Sequence, residues 1–447
     1  MMIASLRPEF RPMLRLAAPL AVAELAWMAM GVVDTLMLAP MGSAAIGAGS
    51  MGGMVFYTVA ICGTGLLLGM DTLISQSFGA GDLPDCRRSL IDGLWFSLLL
   101  LPVIMGGTFA CLPLLHWYGI NPRVYEQLVP FLTPLVWSII PLFAYAALRR
   151  YLQAVHVVKP VTFAIVSANL INFAGNWILI YGHWGAPAMG IRGSAWSTCV
   201  ARLYMALVLA GATARHGAFR KVSWLPRFSG IRTLLALGLP ASLQMGFEAA
   251  VFAIVTAFAC RLDEASLAAH SIALNVISVT YMVPLGISSA AAVRVGSAVG
   301  RADPRGVAVA GWAALLLSAG FMGTAAIVLF TMPEVIVRRY SGDPRVMQVG
   351  VSLLAIAALF ELGDGANVVA TGALRGAGDT RTSMLANLIF YWAVGLPVAY
   401  LMCFHFGWGA DGLWLGLCVA LLLIGGTLIG AWIRLVRRIQ NDHEILV

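Results

Sequence analysis

The sequence predicts an all-α polytopic membrane protein: twelve transmembrane helices arranged as two six-helix lobes related by a parallel internal repeat. Three observations predict it. Hydrophobic residues make up 60% of the 447 and charged residues only 11%, with a mean hydropathy of +0.88, whereas a soluble globule carries about 25% charged residues. The chain offers twelve apolar runs, each able to supply the roughly 20 residues that cross the hydrocarbon core. These runs are long, unalternating and rich in Leu, Ala, Val and Gly, unlike the roughly 10-residue alternating strands of a membrane barrel. Finally, residues of the first half recur in the second at one constant spacing.

In order, the spans are expected near 13–38, 47–78, 87–115, 127–148, 160–181, 189–213, 231–260, 265–296, 307–332, 348–374, 381–404 and 412–436. The first is expected to remain as an anchor. Its apolar run after Arg15 exceeds the 7–15 residues of a signal-peptide core and contains Glu24 and Asp34. The longest internal connection, His216 to Gly230, is basic and lies midway. It reads as a cytoplasmic linker (216–230) between an amino-terminal lobe (1–215) and a carboxy-terminal lobe (231–447).

The net charge of +8 is explained by its distribution. Most of the 28 Lys and Arg fall at 7–15, 87–88, 149–159, 215–232, 294–305, 375–381 and 434–438, in alternate loops. By the positive-inside rule both termini are cytoplasmic, which requires an even number of spans. The chain is therefore expected in the inner (plasma) membrane, in contact with lipid and not with nucleic acid, and a monomer is expected. The seven cysteines are odd in number with no CxxC pair, and read as small apolar fillers.

The repeat has a spacing of 221: Pro19 matches Pro240, Ala44 matches Ala265, Gly79 matches Gly300 and Asp82 matches Asp303. Each half holds an even number of spans, so both copies insert in the same orientation, about an axis along the membrane normal.

An acid in a spanning helix is costly, about 2.5–3.5 kcal/mol at its centre, and is by default a functional-site candidate. Asp34 lies near the outer end of the first span, level with Asn176 on the fifth. Asn169, Asn172 and Asn176 form a stripe at i, i+3, i+7 that can hydrogen-bond a carboxylate or coordinate a cation; the alternative role is interhelical glue. Glu248 lies mid-span, with Gln244 one turn before it. Asp364 shares a face with Phe360, Glu361 and Asn367, and Asn275 on the eighth span is close to the level of Glu248. If these spans meet, Glu248 and Asp364 form a pair able to hold one proton or one Na⁺. Glu24 can face a cleft or pair with a neighbour, and Asp71 is expected to reach interfacial water. The 221-residue shift places Val255 opposite Asp34 and Trp27 opposite Glu248, so the scaffold repeats and the acids do not. The histidines show no metal-ligand spacing, and there is no Walker loop and no GxSxG elbow. No enzymatic activity, cofactor or resident metal is expected, and any energy must come from an ion gradient.

The chain resembles the multidrug and toxic compound extrusion (MATE) family in its NorM-like branch. The resemblance is carried by VDT (Val33 to Thr35), TLISQSFGAGD (Thr72 to Asp82), NFAGNWILIYG (Asn172 to Gly182), GIRGSAW (Gly190 to Trp196), GFEAA (Gly246 to Ala250), AAHSIALN (Ala268 to Asn275), ALRGAGDT (Ala373 to Thr380) and GLWLG (Gly412 to Gly416). It implies two lobes in a V around a central cavity, alternating access, and export of cationic, amphipathic small molecules against Na⁺ or H⁺ entry. It further implies an amino-lobe site at Asp34 with Asn172 and Asn176, and a carboxy-lobe cation site at Glu248 with Asp364. Phe360 stands where relatives often carry Tyr, and Glu361 is extra, which leaves Na⁺ against H⁺ open. Two other readings remain: a flippase for lipid-linked saccharides, disfavoured because the mid-membrane charges are mainly acidic, and an intramembrane enzyme, disfavoured by the missing motifs.

Overall fold

The computed structural model describes residues 2–117, 121–220 and 222–446, with side chains described within 7–441 of these ranges. Among them the chain is helical throughout: α1 (Met2–Leu38), α2 (Ser43–Leu66), α3 (Gly69–Gly79), α4 (Leu83–Trp117), α5 (Pro122–Trp137), α6 (Ile139–Ala154), α7 (Lys159–Tyr181), α8 (Ile191–Arg215), α9 (Phe228–Ala259), α10 (Glu264–Gly300), α11 (Pro304–Thr331), α12 (Pro333–Tyr340), α13 (Pro344–Gly376), α14 (Arg381–Asn387), α15 (Leu396–Tyr400) and α16 (Gly409–Leu446). Eleven stretches are long and apolar enough to cross a membrane, and α5 with α6, bent by 42° at Ser138, makes a twelfth as one broken span. These are the twelve expected spans.

The repeat is visible in how helices start and stop. Gly79 and Gly300 are the last residues of α3 and α10. Asp82 and Asp303 then do the same job one turn on. Asp82 accepts from the Asp85 amide (2.9 Å) and Asp303 from the Gly306 amide (2.8 Å), each satisfying a helix-start N–H that would otherwise lack a partner. Asn121 and Asp343 cap α5 and α13 likewise, each followed by a proline whose missing N–H costs nothing there.

The helices form two compact units, residues 22–242 and residues 1–21 with 243–447. Their boundaries fall inside α1 and α9 and not at the 216–230 linker: the start of each half's first helix packs with the other half. In the unit of residues 22–242, adding a Cβ to Gly238 of α9 would bring it 2.0 Å from the Leu66 carbonyl oxygen, so only glycine permits that approach. In the other unit, Gly286 of α10 lies against the Ala21 backbone in the same manner. The linker is docked onto α4. Trp95 Nε1 donates to the Trp224 carbonyl (2.7 Å), and Arg227 binds Asp92 through Nε (2.8 Å) and Asp85 through Nη1 (2.6 Å). Burial opposes the charge on Arg227, but these hydrogen bonds outweigh it and push its pKa up.

The final two spans differ in regularity. In the span Arg381–His405, residues Leu388–Gly395 and Leu401–His405 are wound as π-helix around α15. Such stretches are rare and concentrate at functional sites. In α16, Trp414 and Trp432 are fully buried and anchor the core of the second unit.

Candidate functional site

In the unit of residues 22–242, α7 and α8 pack closely because Gly175 faces Ser197; a Cβ there would lie 2.4 Å from the serine Oγ. Ser197 Oγ donates to the Asn172 carbonyl at 2.7 Å, fixing the register of the two helices. Asn172 and Asn176, one turn apart, are thereby fully buried and turned toward α1. Asn176 Nδ2 donates to Asp34 Oδ1 at 2.7 Å, and Thr198 Oγ1 donates to Asp34 Oδ2 at 3.1 Å. Asn176 Nδ2 also reaches Asn172 Oδ1 (3.3 Å), and Asn172 Nδ2 reaches Thr198 Oγ1 (3.4 Å). The sequence leads to Asp34, Asn172 and Asn176 but misses Thr198, whose sole signal is its place two turns into α8 at the depth of Asn172. Asn169 does not join them. Its amide donates to the carbonyls of Ala26 and Ile165, so the lower end of the asparagine stripe is interhelical glue.

The same unit resolves two other acids. Glu24 forms an ion pair with Arg149 of α6 and has no hydrogen bond to the Asp34 group. Asp71 is 1% exposed and pairs with Arg150 at 3.2 Å. It does not reach interfacial water as expected, because Arg150 supplies its counter-charge inside the protein.

In the other unit α13 carries Gly363, Asp364 and Gly365 in succession. Gly363 lies against the Leu421 backbone of α16 and Gly365 against Ser318 and Met322 of α11, so the helix is gripped on both sides of the acid. Asp364, Glu361 and Phe360 are all buried, at 5%, 1% and 1% exposure. Asp364 interacts electrostatically with both Glu248 and Glu361, which brings three acids together where the sequence suggests a pair. Thr280 of α10 donates to Glu361 Oε1 at 2.5 Å, while Glu361 Oε2 is buried without a hydrogen-bond partner. Gln244 is buried one turn before Glu248. Asn275 is not part of this cluster: it is exposed and donates to the Ser271 carbonyl of its own helix (3.1 Å). Its depth matches that of Glu248, but the rotation of α10 turns it elsewhere.

Aromatic rings flank the acids. Phe252, one turn after Glu248, lies 6.3 Å from the Phe360 ring and 6.4 Å from the Tyr391 ring. Tyr391 sits in the π-helical turn, fully buried, with a hydroxyl lacking a hydrogen bond and in electrostatic range of Glu248 and Asp364. A phenol is therefore present despite Phe360, supplied by a different span. His270 is structural: Nδ1 accepts from Trp414 Nε1 (3.0 Å) and Nε2 meets Thr256 Oγ1 (3.1 Å), engaging both nitrogens.

Among the described residues no three of His, Cys, Asp and Glu converge closely enough to hold a metal ion. A cavity of about 200 Å³ lies at the docked linker, lined by Asp85, Asp92 and Arg227 among others. None of its residues belongs to either acid group, and its charges are already paired.

The MatE family model matches residues 19–178 and again 240–401, two copies whose first residues are 221 apart. The chain belongs to the MatE family. It is 33% identical over 444 residues to a probable multidrug resistance protein NorM of Mesorhizobium japonicum, covering 96% of this chain and 94% of that protein. To the multidrug resistance protein PmpM of Pseudomonas aeruginosa it is 32% identical over 456 residues, covering 99% and 94%. Among solved structures, the eukaryotic MATE transporter AtDTX14 superposes with a TM-score of 0.88 over 98% of this chain and 99% of its own at 19% identity. A MATE in the straight conformation does so with a TM-score of 0.88 over 97% of each chain at 15% identity. At such identities the structures attest the fold, and the MATE architecture expected from the sequence is the one present.

Proposed function

We propose that this MatE-family chain is a secondary antiporter that exports cationic, amphipathic small molecules in exchange for H⁺ or Na⁺, by alternating access. In this reading the membrane is the cytoplasmic one with both termini on its inner side, which the distribution of Lys and Arg supports. The observation that carries the reading is a division among the acids. Glu9, Glu24, Asp71, Asp85 and Asp92 are each held in an ion pair with arginine. Asp34, Glu248, Glu361 and Asp364 are in none among the described residues, although hydrocarbon makes unpaired acids costly. The five paired acids are each neutralised by a neighbouring arginine; these four make no direct salt bridge and remain open to a mobile cation. The NorM and PmpM relatives, named as multidrug resistance proteins, support the substrate class.

The roles follow from the chemistry. Asp34, with its two hydrogen bonds, offers an oriented carboxylate to a proton or to a cationic substrate. Glu248 and Asp364, with Glu361 in electrostatic range, lie in a low-dielectric setting where a proton or a monovalent cation offsets their mutual repulsion. Phe252, half-buried one turn from Glu248, offers a ring to an organic cation, with Phe360 and Tyr391 packed behind it. Loading the acids with the coupling ion cancels the charge that retains a cationic substrate, which promotes its release. At 100 mV one entering charge supplies about 2.3 kcal/mol, enough for a roughly fifty-fold gradient.

The test is transport of a fluorescent cationic dye in proteoliposomes under Na⁺ and pH gradients imposed separately. Dye movement driven by either gradient supports antiport. No movement under either, with folded protein, contradicts it, and chemical conversion of a substrate without displacement indicates an enzyme.

A further inference from the structure

Arg202 lies inside the span formed by α8, yet it is 7% exposed. A buried guanidinium demands compensation, and unlike Arg149, Arg150, Arg227 and Arg294 it belongs to no ion pair among the described residues. What it has is partial. Nη1 donates to Ser138 Oγ at 2.5 Å, and the guanidinium carbon sits 4.3 Å over the Phe56 ring. Its Nε remains buried without a partner.

The missing compensation is one helical turn away. Thr198, four residues before Arg202 and on the same face of α8, donates to Asp34 Oδ2. Asp34 and Arg202 are within electrostatic range of each other, and the other groups acting on Asp34, namely Asn172, Asn176 and Thr198, are uncharged. Glu24 is already committed to Arg149. Arg202 is thus the charge that answers Asp34, held back by Ser138 and Phe56 from a direct salt bridge.

We propose that Arg202 is a built-in counter-ion for Asp34, a positioning residue whose fixed charge neutralises the carboxylate whenever its proton or cationic guest leaves. An entering monocation or proton then competes with Arg202 for the carboxylate, and the emptied site crosses the membrane without net charge. The assignment rests on the reading of Asp34 as a cation- or proton-exchanging site. It makes Arg202 one of the groups that bear on the pH range in which Asp34 exchanges, beside Asn172, Asn176 and Thr198.

The test is infrared titration of the protonated carboxyl stretch in the purified full-length protein, with the Asp34 contribution identified by its loss in Asp34→Asn. Arg202→Gln keeps a donor for Ser138 but removes the charge; Arg202→Lys keeps the charge. The expected result is that Arg202→Gln moves the midpoint of the Asp34 signal upward by about one pH unit or more, because the ionised carboxylate has lost its charge partner. Arg202→Lys stays within about half a unit of wild type. An Arg202→Gln midpoint equal to wild type, or no Asp34 signal in either protein at any pH, overturns the proposal and leaves Arg202 a packing residue. Should Arg202→Gln not fold, Arg202→Met and Ser138→Ala provide the same comparison without and with the charge. The two readings fail separately. Wild-type dye transport by Asp34→Asn removes Asp34 from the antiport reaction while leaving the titration result standing. Loss of transport in Asp34→Asn with an unshifted Arg202→Gln titration removes only the counter-ion.

Discussion

Glu24 separates a scaffold charge from a site charge, and the separation is measurable as a double-mutant cycle. Its carboxylate pairs with Arg149, and the two side chains are only 12% and 9% exposed. Removing one partner, by Glu24→Gln or Arg149→Met, strands the other charge in a water-poor setting and costs about 3–5 kcal/mol. Removing both leaves no charge to strand, and substitution of a buried pair by groups of similar volume is close to neutral. Arg149 Nε is already buried without a hydrogen-bond partner, so the guanidinium is incompletely satisfied even in the intact pair. The single variants should therefore unfold at markedly lower denaturant than wild type in mixed micelles. The double variant Glu24→Gln/Arg149→Met should recover most of the loss, so that its cost falls well below the sum of the two single costs. Dye efflux by the double variant should match wild type per folded molecule. A double variant that is stable but silent in transport would refute the reasoning and place Glu24 among the ion-handling acids.

Three further expectations concern the same architecture. Gly175→Ala forces a methyl onto Ser197 Oγ and should destabilise the protein by about 1–3 kcal/mol and weaken substrate binding, read from thermal unfolding and dye-binding titration. Asn176→Ala removes a hydrogen bond to the Asp34 carboxylate, worth about 1.5–3 kcal/mol for a charged acceptor, and should reduce efflux at least tenfold, while Asn275→Ala should leave efflux within about twofold. Arg227→Ala frees the linker from Asp85 and Asp92, and should raise the rate of proteolytic cleavage within 216–227 in membranes without lowering expression.

Depth was legible in the sequence, and rotation was not. Counting residues from a span's end puts Asp34 level with Asn176, and the structure joins them; the same count puts Asn275 level with Glu248, and α10 turns it away. An amide stripe is likewise readable as a stripe, but not which of its members meets the acid and which, like Asn169, binds a neighbouring backbone. Hydroxyl partners such as Thr198 and Thr280 carry no signal, since Ser and Thr are common in spans and usually bond their own helix. Arg149 was visible only as a cytoplasmic-side charge, so its pairing with Glu24 had no local trace. Tyr391 depends on a π-helical turn whose winding, and hence the direction of its phenol, is decided by packing against α16 and not by local propensity. The repeat spacing of 221 was readable because it is written in glycines and capping aspartates, positions where geometry allows few residue types.

The central claim is that Asp34, Glu248, Glu361 and Asp364, which lie well inside the spans and in no ion pair among the described residues, couple ion entry to substrate exit, and that the arginine-paired acids do not. The most direct measurement is gradient-driven efflux of a cationic dye from proteoliposomes by Asp34→Asn, Glu248→Gln and Asp364→Asn, each compared with wild type and with the Glu24→Gln/Arg149→Met protein. Loss of gradient-driven efflux in the three single variants, with efflux retained in the paired-acid control, is the predicted result. Wild-type efflux in all three at equal amounts of folded protein would contradict the account.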